Sequence, residues 1–127
     1  MAGAFQWIDG SFTEDVERIQ GRAPNDIDVV TFAPLGDGQA QRALHAAHPR
    51  LFRPDCKAVF KVDHYFVPTD RPLDARLAEQ VAYWYSLWAH RRGDQQWKGF
   101  VTVPVASTDA DARAWLMQQQ GAPTGAP

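Results

Sequence analysis

The chain of 127 residues contains one cysteine, Cys56. A single thiol excludes an internal disulfide framework and a multi-thiolate zinc site within one chain, and reads as a buried, unreactive residue. Long apolar runs are also missing. No stretch approaches the roughly 18 apolar residues that a membrane span needs, and the start, MAGAFQWIDG, has neither basic residues nor an extended apolar run. The expectation is a soluble, cytoplasmic protein with no membrane partner. A strong charge of one sign is absent as well: the net charge of −2 gives no general attraction for nucleic acid. That argues against generic DNA binding and leaves only local patches for such a partner. No internal repeat is present.

What remains, 45% hydrophobic and 12% aromatic residues, is enough to bury one core and too little for two domains at this length. A single domain is expected over residues 1–120. The last stretch, GAPTGAP (121–127), has no large apolar anchor and reads as a disordered tail.

Along the chain, AFQWI (4–8) reads as a strand ending at the turn Asp9-Gly10. FTEDVERI (12–19) spaces Phe12, Val16 and Ile19 by four and three, as a helix does. IDVVTFA (27–33) is β-branched and reads as a strand, with QAQRALHAAH (39–48) as a helix and PRLFRPD (49–55) as a loop. KAVFKVDHYFV (57–67) is the clearest predicted strand, with Ala58, Phe60, Val62, His64 and Phe66 on one face and Val59, Lys61, Asp63 and Tyr65 on the other, polar one. A long helix over 73–90, ended by Gly93, a strand over 97–105 and a helix over 109–120 complete the chain. The order predicts a mixed α/β (α+β) domain, a small mixed sheet with helices packed on it, and a helical crossover making the first two strands parallel.

Three acids stand out. Asp26 and Asp28 are two apart at the start of a strand and share a face, and Asp63 lies on the polar face of its own strand. Carboxylates gathered on one sheet face repel unless a cation sits among them, so Mg²⁺ would turn that cost into affinity. Asp63 is also placed to act as base for an incoming hydroxyl. Gly10-Ser11, where a strand hands over to a helix, offers backbone N–H groups, close approach and a hydroxyl to a phosphate. Read alone, Ser11-Phe12-Thr13-Glu14 is a capping box.

The string WIDGSF…PNDIDVV…KVDHYF resembles the nucleotidyltransferase superfamily with the DNA polymerase β type fold. Small bacterial members of that superfamily also share a late strand like KGFVTV (98–103). The likeness covers roughly residues 5–105. It implies that Gly10 and Ser11 bind phosphate, and that Asp26, Asp28 and Asp63 bind Mg²⁺. It further implies an NTP as donor and a hydroxyl of a protein, a tRNA or a small molecule as acceptor, in a toxin–antitoxin or phage-defence setting. The rival expectation is a non-catalytic interaction protein on the same fold, because Glu14 and Asp15 stand beside the phosphate turn and no substrate domain follows.

Lys61, on the face of Asp63, and the cluster Arg50, Arg53 and Lys57 would meet a triphosphate or an RNA acceptor, or else are solvated charge. His45 and His48 read as surface residues and His64 as structural. Trp84, Tyr85, Trp88 and Trp97 read as core. HRRG (90–93) reads as charge at a helix C-terminus.

Overall fold

The computed structural model describes residues 3–52, 54–105 and 109–121. Arg53 and residues 122–127 of the expected tail lie outside the described residues. The domain is a small mixed α+β fold, as expected. Strands β1 (Phe5–Asp9), β2 (Ile27–Ala33), β3 (Val62–Pro68) and β4 (Val101–Pro104) form one sheet in the order β3-β2-β1-β4. Helices α1 (Val16–Gln20), α2 (Gly38–Ala47), α3 (Asp55–Phe60), α4 (Ala75–Trp88) and α5 (Asp109–Gly121) accompany it.

Two expectations are corrected. β1 and β2 are antiparallel, not parallel. The segment between them holds only a 3-10 turn, Ser11–Glu14, and the five residues of α1, separated by Asp15 at φ 50°. No helix there is long enough to carry the chain back along the sheet, so it reverses. The parallel pair is instead β2 with β3, joined through α2 and α3.

The second correction concerns residues 57–61, predicted as strand. Asp55–Phe60 is helical, and Lys61 adopts the left-handed conformation, φ 57°, that ends the helix and starts β3. Ala58, Val59 and Phe60 form a short continuous apolar run between two lysines, which fits a strand and a helical turn equally well. α2, α4 and α5 fall close to expectation, whereas the last strand keeps only Val101–Pro104 of the expected 97–105. α2 and α4 each begin at an aspartate that caps free N–H groups: Asp37 accepts from Gln39 and Ala40, Asp74 from Leu77. α4 stops at Trp88, so the whole of HRRG (90–93), Gly93 included, follows the helix rather than ending it.

One sheet face carries Phe5 and Trp7 of β1, Val30 and Phe32 of β2, and Tyr65 and Val67 of β3, brought level by the strand register. α4 covers it with Leu77, Val81, Trp84 and Trp88, joined by Phe100. Phe32 is held between Phe5 and Trp7 with ring centroids 4.7 and 4.6 Å away, and Trp84 meets Tyr65 at 4.5 Å. The face of β3 expected to be polar is therefore the core face. Tyr85 is half exposed against Trp7 and Phe100, and Trp97, predicted as core, is 76% exposed with its ring against His90.

The opposite face holds a hydrogen-bonded chain. Gln6 Nε2 donates to Thr31 Oγ1 (3.0 Å), and Thr31 Oγ1 lies 2.6 Å from His64 Nε2. His64 Nδ1 lies 3.1 Å from the Leu51 carbonyl, which can only accept, so Nδ1 carries the proton and Thr31 donates to Nε2. His64 is thus structural, as expected.

Two outcomes follow. Phe32→Ala should cost about 3–5 kcal/mol in urea unfolding, whereas Leu73→Ala, 84% exposed, should change stability by less than about 0.5 kcal/mol. Burial holds the His64 pKa below 6.5, partly opposed by its bond to Leu51. The unfolded chain therefore takes up this proton first as pH falls, and stability declines from roughly pH 6.5 downward through the folded value. His64→Gln should flatten that acid limb in thermal melts measured across pH, and an unchanged slope would assign it to other groups.

Candidate functional site

The register that builds the core also builds a row of acids. Asp9 ends β1, and it pairs across to Asp28, which pairs in turn with Asp63. Three carboxylates therefore leave the same sheet face at the same level of three neighbouring strands, just beyond the aromatic core. Asp26, immediately before β2, adds a fourth. Asp26, Asp28 and Asp63 each offer an oxygen within 4.8 Å of the others, the one cluster of three or more potential metal ligands found among the described residues. Asp63 is buried, and Asp26 and Asp28 are half-buried.

Such a row is repulsive. Burial, and then the charges of Asp26, Asp63 and Asp9, push the Asp28 pKa up, against a downward pull from Arg92. Two lysines answer it from opposite sides. At the β1 end, Lys98 lies 2.9 Å from Asp9 and 2.6 Å from Glu14. At the β3 end, Lys57 of α3 lies 2.6 Å from Asp26 and 3.2 Å from Asp63. Burial works against the Lys98 ammonium, but its hydrogen bonds to Glu14 and Asp9 carry its pKa above the ordinary lysine value. Lys57 is raised by its bonds to Asp26 and Asp63. The two differ in exposure: the Lys98 side chain is 13% exposed and that of Lys57 45%.

Gly10 sits where only glycine fits. Its φ is 120°, and a Cβ there would come within 3.2 Å of the Asp26 carbonyl oxygen and 3.3 Å of the Asp28 nitrogen. The turn after β1 is thus pressed against the start of β2. The helix expected to present a positive end to phosphate is corrected here: one 3-10 turn and a five-residue helix carry little macrodipole. Nor does a capping box form. No side chain caps at Gly10, Thr13 Oγ1 bonds Asp9 Oδ1 (3.0 Å) and the Gly10 carbonyl (2.8 Å), and Glu14 turns to Lys98. Asp15 turns away, bonded to Arg18 at the surface.

Beside the acids lies a cavity of about 310 Å³. Gly10, Ser11, Asp26 and Asp28 border it, and so do the cations Arg22, Arg92 and Lys98. Of the residues expected to act together, Gly10, Ser11, Asp26 and Asp28 share one space. Asp63 joins the acid cluster but does not border the cavity. Lys61, expected to face a triphosphate, is exposed at the α3–β3 junction and does not border it either. Its left-handed conformation removes it from the strand alternation that put it on the face of Asp63. Lys57 takes that position.

Asp9, Lys98 and Arg92 are additions. In the sequence Asp9 reads only as a turn residue, although Phe5, Trp7 and Asp9 share a parity that carries it onto the core face. Lys98 reads there only as the first residue of KGFVTV. Arg92 carries no local signal, since its position depends on where the chain runs after α4.

A divalent cation fits this donor set. Magnesium holds oxygens at 2.0–2.1 Å, so ligands on opposite sides of it stand roughly 4.2 Å apart. Separations within 4.8 Å need only small side-chain adjustments, with the long, half-exposed Lys57 moving aside.

Residues 1–104 match DUF6932, described as a family of unknown function. No curated protein and no solved structure matches the chain.

Lys98→Met would leave Asp9, only 4% exposed, without its ammonium partner. The expected loss is about 3–5 kcal/mol, measured by urea unfolding at pH 7, with Asp9→Asn in the same background recovering part of it.

Proposed function

The chain belongs to DUF6932, a family of unknown function, and from its site we propose that it is a Mg²⁺-dependent nucleotidyltransferase. It moves a nucleoside monophosphate from an NTP to a hydroxyl, and pyrophosphate leaves. The observation that carries this reading is the convergence of Asp26, Asp28 and Asp63, from the start of β2 and from β3, beside a cavity that Arg22 and Arg92 border. Structural acids need no such neighbour.

When bound, divalent cations supply charge neutralisation at the reacting phosphate and the leaving group. Asp26, Asp28 and Asp63 are the residues that would hold them, and Asp63 would take the proton of the acceptor hydroxyl once Lys57 has moved out. Gly10 and Ser11 form the cavity edge against which phosphate oxygens rest, while Arg22 and Arg92 offset the negative charge of the triphosphate. Glu14 does not repel it, because Lys98 neutralises it.

The acceptor class, a protein, tRNA or small-molecule hydroxyl, and a cytoplasmic toxin–antitoxin or phage-defence role follow from the superfamily resemblance.

A specific observation supports a second reading. Lys57 already fills the place of a cation between Asp26 and Asp63. If it is the permanent counter-ion, the chain is a catalytically inactive interaction or regulatory protein on the same fold.

Calorimetry separates the two. Mg²⁺ with ATP, GTP, CTP or UTP should bind wild type, and Asp26→Asn with Asp28→Asn should abolish binding. The same pair should cut transfer of α-labelled nucleotide into a cell lysate by more than about 100-fold, the limit reached by outer-sphere changes alone. Metal-independent binding, or no binding of any nucleotide, favours the inactive protein.

A further inference from the structure

α4 has two functional faces. Leu77, Val81, Trp84 and Trp88 cover the sheet. On the other side Tyr83 and Leu87, four apart, form a stripe that His90 extends just past the helix end, toward the acid site. Tyr83 is 59% exposed and Leu87 39% exposed, so core packing does not explain their apolar surface. They do not project singly into solvent. Tyr83, Leu87 and His90 line a second cavity of about 500 Å³ with Arg91 and Arg92, and its surface is more apolar than that of the first. The Tyr83 ring is braced edge-on by Trp84 at 5.1 Å and 76°, which leaves a face for an occupant.

The two cavities are contiguous, because Leu87, His90 and Arg92 border both. Arg92 also acts electrostatically on Asp28. A ligand spanning them would have a polyanionic end beside Arg22 and Arg92 and a flat, largely apolar end beside Tyr83 and Leu87. The first cavity, near the small end of the range for ligand pockets, suits the triphosphate alone.

We propose that this second cavity is the nucleobase site of the donor nucleotide, with the ring system stacked against Tyr83 and Leu87 and a purine preferred for its larger stacking area. The proposal rests on the nucleotidyltransferase reading. Arg92 stands at the boundary, where the ribose and the first phosphate would lie. Arg91 is drawn to Asp94 at 3.6 Å and so leans away from the phosphates.

The test compares Mg²⁺-ATP, Mg²⁺-CTP and Mg²⁺-tripolyphosphate by calorimetry on the full chain. Wild type should bind ATP more tightly than CTP, and CTP more tightly than tripolyphosphate. Tyr83→Ala should weaken ATP about tenfold and leave tripolyphosphate unchanged, whereas Tyr83→Phe should retain wild-type affinity for ATP. Circular dichroism melts of both variants should match wild type, as expected for an exposed side chain. Tripolyphosphate binding that persists with ATP affinity unaltered by Tyr83→Ala overturns the base site and spares the nucleotidyltransferase reading. Absence of binding by tripolyphosphate and all NTPs overturns both. If Tyr83→Ala unfolds the chain, Ser86→Trp, which fills the second cavity without bordering the first, replaces it: loss of ATP affinity with tripolyphosphate unchanged supports the base site, and both unchanged overturns it.

Discussion

Like charge in a half-buried row is the constraint to which the rest of this molecule answers. Asp9, Asp28 and Asp63 are set level by hydrogen bonds between three strands, and no side-chain rotation removes them from one another's field. At an effective dielectric constant near 20, two unit charges 4 Å apart repel by about 4 kcal/mol, comparable with the whole stability margin of many domains. The fold meets this with a lysine at each end of the row, and its burial still keeps Asp28 reluctant to ionise.

The two lysines are not equivalent. Lys98 is enclosed and ties three pieces of chain together: the end of β1, the turn that carries Glu14, and the segment leading into β4. It belongs to the scaffold. Lys57 is on a six-residue helix, half in solvent, and its long stem gives it other places to go. One end of the acid row is therefore permanently neutralised, and the other is neutralised by a group that exchanges. A metal site in which the competing cation is tethered has its affinity set by the difference between two bound states, not by the acids alone.

Much of this is legible in the sequence. The parity of Asp26 and Asp28 and the appearance of Asp63 on a later strand are sufficient to group the three acids. The spacing of Leu77, Val81, Trp84 and Trp88 gives the buried face of α4. What escapes depends on long-range pairing. The antiparallel return of β2 follows from the shortness of α1, which the pattern Phe12, Val16, Ile19 conceals behind an unbroken period. The helix at Asp55–Phe60 is hidden because the apolar run Ala58-Val59-Phe60 is too short to show a helical period and leads straight into β3. Asp9 and Lys98 are far apart in sequence, and only the pairing of β1 with its neighbours brings Lys98 within reach.

One junction governs how this chain tolerates change in length. The Lys61 carbonyl accepts a hydrogen bond from Ile27 N at 2.9 Å, while Lys61 itself closes α3 and opens β3. Helix and strand thus share a residue, with no slack between them. A single insertion there would rotate β3 by one place, turning Asp63 toward the Phe52–Phe66 layer and presenting Val62 or His64 to the other acids. The segments at 34–37 and 69–74 are tied to each other, the Gly36 N–H donating to the Asp70 carboxylate, but they lie beyond the far ends of β2 and β3 and do not set the level of the acids. The acid site is thus fixed less by the chemistry of its own residues than by a residue count held constant at Lys61.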